Sequence, residues 1–194
     1  LGMMTLLRGV ILVYTKGSPI PIKSDAYKFF GKGSIAGIPV PVIILIIVFL
    51  LAHYILTQTS YGRSVYAVGG NREAARLSGI RVKTSEFLVY TLNGLMCGMA
   101  GLILTARLGS AQSTSGTGIE MDAIAAVILG GTSLSGGVGF VLPTVVGAMI
   151  MGIIDNILTL MNVNPHATNI VKGAVILIAV LVDKKVKDLS AKAE

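Results

Sequence analysis

The sequence predicts an all-α fold, a polytopic bundle of transmembrane helices in which one crossing is broken by irregular backbone. Three observations carry that prediction. Hydrophobic residues make up 53% of the chain and charged residues 13%, about half the charged share of an ordinary soluble domain, and mean hydropathy is +0.80. The basic residues stand mostly in short stretches between long apolar runs, so the net charge of +7 marks loops at a membrane surface and not a nucleic-acid-binding face. The third observation is the segment from Ile119 to Gly139, which is too interrupted to be an ordinary span yet lies where a crossing is needed. A chain of 194 residues holds about five spans at roughly 20 residues each. It is therefore read as one transmembrane domain over 1–194, with no room for a separate soluble catalytic domain.

The elements follow in order. Leu1 to Thr15 is apolar apart from Thr5 and Arg8 and too short to span comfortably. The start, Leu1-Gly2-Met3-Met4, reads as an entry partway through a helix, so the chain is expected to be the later part of a longer protein. Lys16 to Gly37 reads as a loop, with Gly17-Ser18-Pro19 and Pro21 as turn residues. Ile38 to Leu56 is the clearest span, uncharged, with Pro39 and Pro41 in the entry turn where a missing N–H costs little. Thr57 to Ser85 is polar and carries Arg63, Arg72, Arg76, Arg81 and Lys83 against Glu73, which places it in the cytoplasm by the positive-inside rule. Phe87 to Ala106 is a second span, in which Gly94 and Gly98 share a helical face open to close approach by another helix.

Val138 to Leu160 is a third span, with Pro143 and Gly147 as expected bend points, and Ala167 to Val182 a shorter fourth, with Lys172 near enough to its start to snorkel. Asp183-Lys184-Lys185 and Lys187 form a basic tail expected in the cytoplasm. If the second span leaves the cytoplasm and the tail lies in it, three crossings must intervene, and only two full helices are available. Ile119 to Gly139 is therefore read as a half-helix followed by irregular backbone from Gly130 to Gly139, whose polar groups must be satisfied by protein or water. A re-entrant loop is the competing topology.

Enzyme signals are poor. Gly131 to Gly136 has the glycine spacing of a phosphate-binding loop, but Gly137 stands where its lysine is required. Val65 to Asn71 mimics a strand and glycine turn without the G-x-G-x-x-G spacing of a dinucleotide site. The single cysteine, Cys97, and the distant His53 and His166 offer neither a disulfide nor a metal cluster. His166 reads as a loop residue.

The stretch from Asn71 to Gly79 is more informative. Asn71 is a good N-cap, Glu73 falls where the helix dipole favours an acid, and Gly79 is placed to end the helix. Ala74, Ala75 and Leu77 supply small apolar contacts, and Arg72 and Arg76 a basic edge. A short helix across a cytoplasmic loop is either a solvated connector or a docking element. For the polar residues inside spans, Asn93, Asp122, Asp155 and Asn156, a place on a translocation pathway is the first hypothesis, because lipid exposure is costly. Interhelical hydrogen bonding is the alternative, and Asp122 could instead cap the half-helix.

The run from Tyr61 to Ile80, centred on Gly69-Gly70-Asn71-Arg72-Glu73-Ala74-Ala75-Arg76-Leu77, together with Ser110-Ala111-Gln112, Gly116-Thr117-Gly118, the run Asp122 to Gly137 and the closing Val171 to Asp183, resembles the permease subunit of ribose-type sugar ABC importers. Leu1 to Val10 and Tyr14 to Pro19 are similar to it too. The resemblance implies a transmembrane subunit of the inner membrane that binds no cofactor itself. It further implies a second permease copy, a cytoplasmic ATPase that uses ATP, and an extracytoplasmic sugar-binding protein as partners, with no role for nucleic acid. Gly70, Asn71, Glu73, Ala74, Ala75, Leu77 and Gly79 match the family's coupling segment, within a cytoplasmic loop over 57–85. A secondary transporter would also suit a broken helix, but needs paired acids that the sequence does not display; a scaffold without transport activity is the third class.

Overall fold

The computed structural model describes residues 2–190, apart from the side chains of 165, 166, 178 and 182–190. The chain is all-α, as its composition predicts, with four strands of two residues each among nine described helices. Among the described residues three helices are long and apolar enough to cross a membrane: α3 (Val40–Gln58), α6 (Val82–Leu108) and α8 (Val141–Leu160). Within the chain they bury almost nothing, no residue in the case of the apolar stretch of α6, so their apolar sides face lipid or other protein. The chain divides into two compact units, one of residues 1–50 and 88–117, the other of residues 51–87 and 118–194.

In the first unit, α1 (Gly2–Thr15) is an apolar helix without a buried residue. The following stretch, expected to be a loop, contains structure. β1 (Ile20–Pro21) pairs antiparallel with β4 (Ser110–Ala111), just past the end of α6. Next, α2 (Asp25–Lys32) is capped by Ser24, whose hydroxyl accepts from the Tyr27 N–H, and its ends carry Asp25 and Lys32 as the helix dipole prefers. Gly31 lets α2 lie against α6, because a Cβ there would collide with the backbone of Ala106 and Arg107. Tyr27 Oη and Thr105 Oγ1, 2.8 Å apart, tie the same two helices. β2 (Ser34–Ile35) and β3 (Ile38–Pro39) then form a hairpin through Ala36 and Gly37, both at positive φ, as a two-residue turn of this hand requires.

In the second unit, α3 gives way to α4 (Ser60–Gly70) at a sharp corner where Thr59 caps the new helix and buried Gly62 meets the carbonyls of Ile55 and Leu56. α4 was not expected, since its paired glycines suggested a turn. α5 (Arg72–Leu77) follows, and α6 already begins at Val82, inside the stretch taken from composition as polar loop. The half-helix is α7 (Ile119–Leu129), succeeded by irregular backbone to Phe140, as the broken pattern implied. α7 and α8 run antiparallel. Gly147 of α8 accepts the close passage of the Ala126 carbonyl, and Gly130 that of the backbone at Pro143 and Thr144. Hence Gly147 is a point of close approach, and Pro143, third residue of α8, sits where its missing N–H is harmless. Ala125, Ala126 and Met151 form the buried core, flanked by Leu129, Ile154 and, from α9 (Pro165–Ser190), Val175 and Ile176. His166 lies in the first turn of α9 and not in a loop. The lysine side chains of the tail fall outside the described residues.

Candidate functional site

Asn71 alone joins α4 to α5. Its backbone N–H closes α4 on the Ala67 carbonyl at 3.0 Å, and its Oδ1 accepts from the Ala74 N–H at 3.0 Å to open α5. Glu73 pairs with Arg76 at 3.2 Å and Arg72 reaches Glu86 at 3.0 Å. Past the helix, Gly79 at φ +82 lets the Ile80 N–H fold back onto the Ala75 carbonyl. The three apolar residues do not share a face. Ala75 is buried and anchors α5 to its own unit, while Ala74 and Leu77, one turn apart, face outward, Leu77 being 83% exposed. Leu77 is thus an exposed leucine on a six-residue helix that also carries Arg72, Glu73 and Arg76.

Gly70 belongs to a different contact. The turn at Gly136 and Gly137, both at positive φ, lies backbone to backbone on Gly69 and Gly70, and Tyr66 Oη donates to the Gly139 carbonyl at 2.9 Å. Any Cβ at Gly136 would strike the Gly69 carbonyl. The irregular segment also bonds to itself, through Ser133 N–H to Val138 O at 2.9 Å, and to the end of α7, through Thr132 N–H to Val127 O at 3.1 Å. Part of its polar backbone is thus satisfied within the chain, beside the α4–α5 elbow. The junction rigidly links the elbow to the α7–α8 pair.

Asp122 and Asp155 are brought together by a residue that the sequence reading placed elsewhere. Lys172 Nζ lies 2.8 Å from Asp122 Oδ2 and 2.9 Å from Asp155 Oδ1, with 18% of its side chain exposed. Lys172 therefore does not snorkel. It bridges α7, α8 and α9 as an ion triad. Asp122 is not the N-cap of α7, which is Gly118 and makes no side-chain bond, but it lies in the first turn, where an acid meets the helix dipole as expected. Asn93 and Asn156 lie on exposed faces of α6 and α8 and join neither group, and Gly94 and Gly98 have nothing within 4 Å of where a Cβ would stand. Among the described residues no group of three or more His, Cys, Asp or Glu is gathered to hold a metal ion.

The family model for the branched-chain amino acid transport system / permease component matches residues 1–180. The chain belongs to this permease family. It is 53% identical over 189 residues to a ribose import permease protein of Escherichia coli K12, covering 95% of this chain and 59% of that protein. It is 49% identical to the ribose import permease of Bacillus subtilis 168, covering 95% and 58%, and 48% identical to the xylose transport system permease of E. coli K12, covering 78% and 38%. The permease thus spans under three fifths of the length of these curated relatives. No solved structure matches it.

Sequence reasoning found the permease's two acids but missed their lysine, since residues 122, 155 and 172 have no common spacing. The glycine junction did carry a signal. Two glycine pairs, Gly69-Gly70 and Gly136-Gly137, stand in polar stretches where helix packing in the membrane does not call for them.

Proposed function

We propose that the chain is the transmembrane subunit of an ATP-driven importer of ribose or a related monosaccharide, lining part of the translocation pathway and coupling to a separate cytoplasmic ATPase that hydrolyses the ATP. The observation that carries this reading is the outward face of α5, with Ala74 and Leu77 exposed and Ala75 anchored, in a chain half identical to proteins named ribose import permeases. Glu73, Asn71 and Gly79 shape that helix, and Gly70 ties it through the glycine junction to α7 and α8. A movement imposed on α5 is passed as a rigid-body shift to the helices that hold the ion triad.

The same contacts support a topology for the proposed importer. With the elbow in the cytoplasm, the glycine junction lies on that side, α8 leads outward and α9 returns, so the tail is cytoplasmic and α7 completes a broken crossing. Asp122 and Asp155, held by Lys172, belong to the pathway, and Asn93, Asn156 and the Gly94–Gly98 face meet helices of a second permease copy or of the same importer. An extracytoplasmic sugar-binding protein delivers the substrate, and the assembly sits in the bacterial inner membrane.

The secondary-transporter alternative needs carboxylates open to a coupling ion, and here the two acids are closed on Lys172. ATP-dependent ribose uptake into vesicles holding the permease, ATPase and binding protein, unaffected when sodium and proton gradients are collapsed, is the expected result. Uptake driven by an ion gradient without the ATPase refutes the reading.

A further inference from the structure

A second feature lies about 29 Å from the glycine junction, at the other end of the twenty-residue α8. There the turn from α8 into α9 encloses an open cleft of about 780 Å³ whose lining includes the amides of Asn162, Asn164 and Asn169, the hydroxyls of Thr159 and Thr168, and the pair Asp155 and Lys172. That volume falls in the range of small-molecule sites and exceeds what one monosaccharide fills. The lining is unusual for an apolar helix pair. Three amides each carry donors and an acceptor, and two hydroxyls can do both. Thr159 already donates to the Asp155 carbonyl at 2.7 Å, so its hydroxyl can serve a ligand only as an acceptor.

The charge balance selects further. Lys172 is shared by Asp122 and Asp155, leaving the triad one negative charge in excess. A phosphate or carboxylate group meets repulsion there, and a bare cation finds its place taken by the ammonium. A neutral molecule with several hydroxyls suits the mixed donors and acceptors. Among the described side chains no aromatic ring lines the cleft, and a transit site must release what it receives.

We propose that the cleft at the α8–α9 turn is a low-affinity subsite for the hydroxyl groups of a neutral monosaccharide at the extracytoplasmic mouth of the permease. The inference rests on the importer reading above, whose topology puts this turn outside the cytoplasm.

The test uses the permease assembled with its ATPase and binding protein in liposomes. In a Cys97→Ser background, Asn169→Cys and, separately, Thr168→Cys are labelled with a small uncharged maleimide. Ribose is expected to slow labelling at least threefold at saturation, while ribose 5-phosphate and sodium chloride do not. Thr159→Val, which removes one acceptor, is expected to raise the ribose concentration needed for half protection about three- to tenfold while the amount of ATPase co-purified stays unchanged. No protection by ribose at either cysteine, or protection by the phosphate ester or by sodium alone, overturns the subsite. ATP-driven ribose uptake by the unmodified assembly separates the two claims. If uptake is present and protection absent, the cleft inference alone fails; if uptake itself is absent, the importer reading fails.

Discussion

Replacing Lys172 by methionine keeps most of the side chain's volume and removes the charge that Asp122 and Asp155 share. Nζ stands 2.8 Å from one carboxylate oxygen and 2.9 Å from the other, so those oxygens are no more than about 5.7 Å apart. With the cation gone, two like charges at that separation repel by roughly 3 kcal/mol at an effective dielectric constant near 20. Orphaning a partner of a buried ion pair costs about 3–5 kcal/mol by itself, and the 38% exposure of Asp155 argues for the lower end. Lys172→Met is therefore expected to destabilise the α7–α8–α9 unit by roughly 3 kcal/mol, read as an earlier thermal transition of the detergent-solubilised permease. Lys172→Met combined with Asp155→Asn should recover about half of the loss, because one of the two repelling charges is removed. A single variant as stable as the parent, or a double variant whose losses simply add, would refute the triad as a structural tie between the three helices.

Other expected outcomes follow from the glycines and the cap. Gly136→Ala should lower folded yield far more than Gly131→Ala: both glycines have positive φ, costing about 1 kcal/mol, but only at Gly136 does the methyl strike the Gly69 carbonyl. Asn71→Ala should cost about 1 kcal/mol and show as faster tryptic cleavage after Arg72 and Arg76, with the spans still protected. Gly98→Leu should leave the thermal stability of the isolated chain unchanged, since nothing lies within 4 Å, yet reduce recovery of the assembled importer more than Gly101→Leu does, because Gly98 shares its face with Gly94.

The spans were legible because lipid imposes a simple rule, a run of apolar residues long enough to cross, and α3, α6 and α8 obey it within a few residues at each end. The cap at Asn71 and the stop at Gly79 were legible because they act on their own neighbours. Elements that depend on distant partners were not. α2 exists because Gly31 and Tyr27 find α6, α4 because its glycines find Gly136 and Gly137, and neither partner lies nearby in the chain. The same holds for the site. Asp122 and Asp155 drew attention as isolated acids in apolar surroundings, whereas Lys172 near a helix end satisfied a local explanation and gave no reason to search further.

The most direct test of the account is whether α5 holds an ATPase. Ala74 is the third residue of the helix, and an acid there is favoured by the helix dipole, so Ala74→Asp leaves α5 formed and the permease inserted. At an outward face seated in a partner's groove, the same change buries an unpaired charge, which can cost 2–5 kcal/mol. The measurement is the amount of ATPase recovered with the purified permease, parent against Ala74→Asp. The account predicts at least a tenfold loss of recovery, with ribose uptake falling in parallel and the binding protein's own sugar affinity unchanged. Undiminished recovery and undiminished uptake would contradict it and leave α5 a solvated connector.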